Sequence, residues 1–200
     1  MISGRIYFVH IKIGNHLVNV GLTTKRKHNT LRGLTPSFFM YADCVRIVDK
    51  FLNPSDLKSV IDHIRGMKWQ IQSSSKNRGL MFLYEEVTDQ EFFNTYLCNK
   101  IREELKIDNQ LERIYFNGQW SGREGSFHVD GCDKTVLIYI SDYHEEWGGF
   151  LHIKSPKDNE HIISPIQNRM VVFPGNWRHK AFSYSFQNAP MRISLAYKFK

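Results

Sequence analysis

The chain has 200 residues, of which 42% are hydrophobic, 14% aromatic and 24% charged. That balance supports a folded domain with a sizeable core and excludes a disordered or fibrous chain. Its net charge of +7 is uneven, because residues 1–50 carry eight Lys/Arg against Asp43 and Asp49, whereas residues 51–200 carry nineteen against eighteen acids. Two regions are therefore expected: a basic β-hairpin extension over 1–45 and a second, near-neutral domain over 46–200.

No apolar run of about 18 residues occurs, so no membrane span is expected. Met1-Ile2-Ser3-Gly4-Arg5 leads straight into alternating sequence without a signal-peptide core. Cys44, Cys98 and Cys132 are odd in number and widely spaced. They match neither a disulfide framework nor a zinc site, which points to a reducing cytoplasm. A compact sequence with no targeting segment legible in it is expected of a bacterial or viral source. Cys132 reads as a buried, inert thiol. Oligomeric state is not legible.

In chain order, Arg5 to Ile13 and His16 to Gly21 read as a hairpin turning at Gly14-Asn15. Thr23 to Ser37 is polar and basic, broken by Gly33 and Pro36, and fits a loop or short helix. Phe38 to Phe51 reads as a strand region. Asn53-Pro54-Ser55-Asp56 opens a helix whose apolar stripe is Leu57, Val60, Ile61 and Ile64, and Gly66 ends it. Trp69 to Asn77 is expected to be a strand running into a polar loop, with Ser73 to Gly79 a candidate lid. A second helix is expected from Asp89 to Lys106, burying Phe92, Phe93, Tyr96, Leu97, Ile101 and Leu105.

From Arg113 onward, short apolar runs alternate with Gly, Asn and Pro turns. The runs begin at Ile114, Thr135, Phe150, His161, Met170, His179 and Arg192. Such a series predicts a mainly β, α+β fold: a jelly roll or barrel with two helices covering one face.

Within that region His128-Val129-Asp130 places an imidazole and a carboxylate two residues apart in extended sequence. A strand projects both from one face. A second histidine would complete a 2-His-1-carboxylate triad, which takes one face of octahedral iron and leaves three positions open for a chelating 2-oxoacid and O2. His144, His152 and His161 are rivals for that role. His179 is preferred because it follows Phe173-Pro174-Gly175-Asn176 and precedes Arg192-Ile193-Ser194 by thirteen residues. A guanidinium fork can hold the far carboxylate of 2-oxoglutarate bidentately. Ser194 shares the face of Arg192, and Tyr139 offers a phenol from a neighbouring strand.

His128-Val129-Asp130, Thr135 to Tyr139, Gly148-Gly149, Phe173-Pro174-Gly175-Asn176-x-x-His179 and Arg192-x-Ser194 together resemble the prolyl 4-hydroxylase-like branch of the 2-oxoglutarate/Fe(II)-dependent oxygenases. The resemblance spans about Val48 to Phe199. It implies a double-stranded β-helix (jelly-roll) core with supporting N-terminal helices, beside the extra hairpin. It implies Fe(II) on His128, Asp130 and His179 as the catalytic centre, and 2-oxoglutarate on Arg192, Tyr139, Ser194 and Thr135. It also implies O2 as oxidant, ascorbate as reductant, and hydroxylation coupled to decarboxylation of 2-oxoglutarate to succinate and CO2. A peptidyl proline in a protein or peptide partner is the implied target. Arg192 departs from the collagen-type enzymes, which are associated with lysine there, and is the habit of oxygen-sensing prolyl hydroxylases and other branches.

Asn117, Gln119, Trp120 and Trp147 are candidates to line the substrate mouth. Trp147, Trp177 and Phe173 also suit plain packing. Alternative targets are another amino-acid side chain, a small metabolite or a nucleic acid, and the non-enzymatic alternative is a metal-binding jelly roll. Gly4-Arg5-Ile6-Tyr7 and Asn19-Val20-Gly21 resemble the opening of GIY-YIG nucleases. The second motif lacks tyrosine and residues 56–65 lack glutamate, so nuclease chemistry is not expected. The basic N-terminus is a candidate for nucleic-acid contact, set against a solvated Lys25-Arg26-Lys27 loop beside a packed β extension.

Overall fold

The computed structural model describes residues 7–13, 16–22, 44–74, 77–156 and 159–200. The chain divides into two compact units, Met1–Ala42 and Asp43–Lys200. In the first, β1 (Tyr7–Ile13) and β2 (His16–Leu22) pair antiparallel, with Ile13 opposite His16. The basic segment from Thr23 to Ser37 lies outside the described residues, so the nucleic-acid expectation attached to it has no described counterpart.

The second unit begins with β3 (Arg46–Val48), far shorter than the expected strand region from Phe38 to Phe51, of which residues 38–43 lie outside the described residues. Helix α1 (Pro54–Arg65) follows the local code closely. The Asn53 side chain accepts from the Asp56 backbone N–H at 2.9 Å, Pro54 occupies the first turn, and the Gly66 N–H returns to the His63 carbonyl at 3.0 Å. Each such cap satisfies backbone groups that the helix end leaves unpaired. The second helical segment starts π-helical over Phe92–Leu97 and becomes regular in α2 (Cys98–Leu105), which stops at Lys106 in the left-handed region. Buried Asp56 ties the two together through Lys100 and the Tyr96 hydroxyl.

β4 (Gln70–Ser74) and β5 (Asn77–Glu86) form an antiparallel pair. The expected lid from Ser73 to Gly79 is therefore corrected: its described residues belong to strands. β5 was hidden because its other partner, β6 (Leu111–Gln119), lies well beyond it in the chain and helix α2 intervenes. The remaining strands are β7 (Lys134–Tyr139), β8 (Leu151–Lys154), β9 (Glu160–Ile163), β10 (Met170–Pro174), β11 (Arg178–Ala181) and β12 (Arg192–Phe199).

They build a seven-stranded sheet in the order β3-β10-β7-β12-β6-β5-β4 and a three-stranded sheet in the order β11-β8-β9. All pairings are antiparallel. Alternation along each strand separates two hydrophobic layers. On one face of the large sheet, Ile114, Phe116, Val136, Ile138, Leu195 and Tyr197 pack with helix residues Val60, Phe93, Leu97 and Ile101. On the other, Leu137, Tyr139, Val171, Phe173 and Ala196 pack with Leu151, Ile153, Ile163 and Trp177. Large-to-small changes in such a core typically cost about 2–5 kcal/mol. The result is a double-stranded β-helix, a jelly roll, in which helices cover the outer face and the small sheet covers the inner one. Polar side chains on the inner faces form the candidate site.

Candidate metal and 2-oxoacid site

The two chain segments carrying the histidines are stitched by backbone. His128 and His179 form an isolated bridge, with N–H to carbonyl distances of 3.0 and 2.8 Å in the two directions. The Asp130 N–H donates to the Gly175 carbonyl at 2.7 Å, and the Gly175 N–H donates to the Asp133 carbonyl at 2.9 Å. Glycine is required at 175 because a Cβ there would stand 2.3 Å from the Cys132 carbonyl oxygen. The Gly175-Asn176 turn after β10 thus places His179 against the His128 segment, and extended backbone on both sides aims the side chains together.

One ligand atom from each of His128, Asp130 and His179 lies within 4.8 Å of the others, a spacing at which one ion can touch all three. The imidazole Nδ1 atoms face carbonyls: His128 that of Ser126 at 2.8 Å, His179 that of Trp177 at 2.9 Å. A carbonyl accepts only, so each Nδ1 carries the proton and each Nε2 keeps its lone pair for a ligand. Burial, with the Lys198 ammonium nearby, pushes His179 down to about 4 against the favourable pull of Asp130. It is neutral at ordinary pH, as a metal ligand must be.

Asp130 is anchored through one oxygen. Its Oδ2 accepts from the Thr135 hydroxyl at 2.6 Å and from the Lys198 ammonium. Burial pushes its carboxyl up, but Lys198, His179 and these two hydrogen bonds outweigh that and hold it below the usual carboxylate range. Cys132 is buried and its thiol is pushed up by burial, which fits the expected inert cysteine.

The other end of the inner layer is built around Arg192, 2% exposed. Its Nε donates to the Gly149 carbonyl at 2.9 Å and its Nη1 to Gln119 Oε1 at 2.8 Å. Gly149 has φ +75°, and a Cβ there would meet the Tyr184 ring at 2.5 Å, so glycine is needed for its carbonyl to reach the guanidinium. Arg192 Nη2 and the Tyr139 hydroxyl are both buried without a hydrogen-bond partner, and the guanidinium carbon sits 5.0 Å from the Tyr139 ring centroid. Two buried polar groups without partners are costly unless a ligand meets them, at about 1–3 kcal/mol each. An anionic carboxylate fits that need, and 2-oxoglutarate carries one at the end opposite its chelating group.

A cavity of about 370 Å³ is lined by His128, His179, Arg192, Ser194, Lys198 and Asn117 among others. It contains both the histidine pair and the Arg192 end. Of the sequence candidates, Asn117 and Gln119 line it, with Gln119 also holding Arg192. Thr135, expected at the cosubstrate, instead spends its hydroxyl on the Asp130 carboxylate and stands outside the cavity lining. The register sets it opposite Lys198, four residues along β7 from Tyr139, which stands opposite Ser194, or about 13 Å of strand. Trp120 is 56% exposed and stands outside the cavity lining. Trp147 likewise lies off the lining and packs on Tyr184, with ring centroids 5.5 Å apart. Trp177 and Phe173 are buried packing residues, as expected. The rival histidines are engaged elsewhere: His152 with Glu160 at 3.1 Å, His161 stacked on Trp177, His144 beside Trp147.

Lys198 was not among the sequence candidates. Its signal was present in the alternation of β12, where Arg192, Ser194, Ala196 and Lys198 share one face. What was missing was knowledge that Asp130 lies across from it.

No family model matches the chain, and no curated protein matches it. Solved structures do. A prolyl-4-hydroxylase from Pseudomonas putida superposes with a TM-score of 0.63 at 15% identity, covering 78% of this chain and 92% of that one. A prolyl hydroxylase from Trichoplax adhaerens, in complex with a peptide fragment of the hypoxia inducible factor oxygen degradation domain, gives 0.61 at 16%, covering 78% and 82%. HygX from Streptomyces hygroscopicus, with nickel, 2-oxoglutarate and hygromycin B bound, gives 0.57 at 7%, covering 80% and 84%. The chain has the double-stranded β-helix fold of the 2-oxoglutarate/Fe(II) oxygenases, prolyl hydroxylases among them.

Proposed function

We propose that the chain is an Fe(II)/2-oxoglutarate-dependent oxygenase whose metal ligands are His128, Asp130 and His179. The observation that carries this reading is the pair of orphaned buried donors, Arg192 Nη2 and Tyr139 Oη, in the inner layer that also holds a metal-sized triad. A structural metal site would need no second, anion-hungry end.

When bound, iron with 2-oxoglutarate supplies activation of O2, coupled to decarboxylation of the 2-oxoacid to succinate and CO2, with ascorbate as the proposed reductant. The protein's own share is placement. Arg192 and Tyr139 hold the far carboxylate, with Ser194 beside them. Ser126 and Trp177 carbonyls hold the two imidazoles in the ligating tautomer. Thr135 and Lys198 keep Asp130 ionised and oriented. Packing by Leu137 and Leu151 along the cavity limits water around the site.

The proposed target is a proline in a protein or peptide. Support comes from the fold shared with prolyl hydroxylases, one of which is seen with a peptide. A small-molecule target is the second reading, favoured by the likeness to HygX, whose structure holds hygromycin B. The triad-based chemistry is common to both. A cytoplasmic setting is proposed from the cysteines alone; among the described residues no helix is long and apolar enough to cross a membrane.

The test is succinate release from 2-oxoglutarate under Fe(II) and ascorbate, with His179→Ala as control. Loss of succinate in the variant, and a +16 Da product on a proline peptide, supports the proposal. Absence of 2-oxoglutarate binding to the metal-loaded wild type removes it. A +16 Da product on small molecules but not on peptides moves it to the second reading.

A further inference from the structure

Lys198 is 8% exposed, and its ammonium rests on the carboxylate oxygen that Thr135 also occupies. Its Nζ lies 3.2 Å from the Thr135 hydroxyl and 5.8 Å from the Tyr115 ring centroid. Two cavities of the described unit are each lined in part by Lys198, Tyr115 and Arg113. Arg113 is paired with Glu86. Lys198 has Asp130 as its acid partner, and Asp130 is the single carboxylate of the triad.

That arrangement has an electrostatic consequence. A triad of two neutral imidazoles and one carboxylate offers a dication one unit of negative charge. Here that unit is already shared with a buried ammonium, so the protein meets the metal with no net compensating charge. A buried, uncompensated positive excess is unfavourable and is relieved by an anion. The dianionic 2-oxoacid brings the missing charge.

We propose that Lys198 is a positioning residue that couples the two ligands: it holds Asp130 in place while weakening binding of the bare metal, so that metal and 2-oxoacid bind synergistically. This rests on the metal and 2-oxoglutarate assignment above. The coupling is reciprocal, as linkage requires: 2-oxoglutarate tightens the metal by the factor by which the metal tightens 2-oxoglutarate. Thr135 does not share this role, because a hydroxyl orients the carboxylate without adding charge.

The experiment is a titration of the full chain with Mn(II), read by loss of the free-ion resonance signal, with and without saturating 2-oxoglutarate. Wild type, Lys198→Met and Lys198→Arg are compared, each checked for folding by its metal-free melting temperature. Wild type should bind Mn(II) at least about fivefold more tightly with 2-oxoglutarate, the lower end of ordinary coupling. Lys198→Met should bind Mn(II) alone more tightly than wild type and show a smaller factor, the remainder being direct chelation of the metal by the 2-oxoacid, whereas Lys198→Arg should retain the wild-type factor. Weaker Mn(II) binding in Lys198→Met with the factor intact would make Lys198 a prop only and overturn the proposal. Unchanged values for both would overturn it as well. If wild type binds no 2-oxoglutarate, the function proposed above fails instead, and the two failures are distinct.

Discussion

The two ends of the inner layer are finished to different degrees. At the triad end the anchoring contacts come from protein: the histidine Nδ1 atoms rest on carbonyls, and Asp130 Oδ2 rests on Thr135 and Lys198. At the Arg192 end the protein supplies two partners, Gly149 and Gln119, and leaves one guanidinium nitrogen and the Tyr139 hydroxyl without any. The first end is preorganised, its ligand atoms held before any ion arrives. The second stores an unmet demand that an incoming carboxylate would satisfy. The difference teaches that the triad can be judged on its own geometry, whereas the Arg192 end makes sense only with a ligand.

The strongest way to break that contrast is Arg192→Ala. Losing a charge-assisted bond to a carboxylate costs about 1.5–3 kcal/mol, so 2-oxoglutarate affinity should fall by about 10- to 100-fold. Mn(II) binding without cosubstrate should stay close to wild type. Isothermal titration measures both, and an equal loss of both would merge the two ends into one unit. Thr135→Val attacks the opposite end. Removing a group that orients a metal ligand should weaken Mn(II) binding by about tenfold, and the Arg192 end should not respond.

Tyr139→Phe sharpens the contrast by opposing two readouts. The hydroxyl lacks a partner in the ligand-free protein, so removing it should raise metal-free stability by up to about 1 kcal/mol. The same change should weaken 2-oxoglutarate severalfold. Chemical denaturation and ligand titration together check this, and a loss of stability would show that the hydroxyl already has a partner.

The smallest effect lies outside the cavity and serves as its control. Burial lowers His63 below its ordinary value of 6.5, only partly opposed by Glu85, and its Nε2 has no partner. The folded state therefore resists protonation more than the unfolded one. Stability is full above about pH 6.5 and declines as pH falls through and below that value. Denaturant midpoints between pH 7.5 and 5.5 should show this decline, and His63→Phe should remove its share of it without altering ligand binding at either end, while His179 and His161, lowered in the same sense, keep the rest.

The legibility of this chain followed the range of the interactions involved. Helix α1 could be read to within a residue because Asn53, Pro54, Asp56 and Gly66 act on backbone groups within one turn. The second helix was visible from its apolar stripe, but its π-helical start at Phe92–Leu97 was not, since the stripe alone does not reveal an extra residue in a turn. The apolar runs of β7, β10 and β12 marked buried strands whatever their partners. β5 escaped because Ser75, Lys76 and its own first residue, Asn77, read as a loop, and only pairing with β4 and β6 makes it a strand.

The site divides in the same way. By itself the sequence determined the chemical inventory: two histidines and an aspartate able to ligate, an arginine thirteen residues beyond the last of them, and the two-residue period that sets Ser194 beside Arg192. Tertiary structure alone decided who faces whom. The β7–β12 register set Thr135 opposite Lys198 and both on Asp130, the Gly175 turn brought His179 to His128, and Gly149 lent its carbonyl to Arg192. Side-chain period is a local property of the backbone, legible along one strand. Register between strands distant in sequence is set by packing of the whole inner layer, and no short stretch of the chain encodes it.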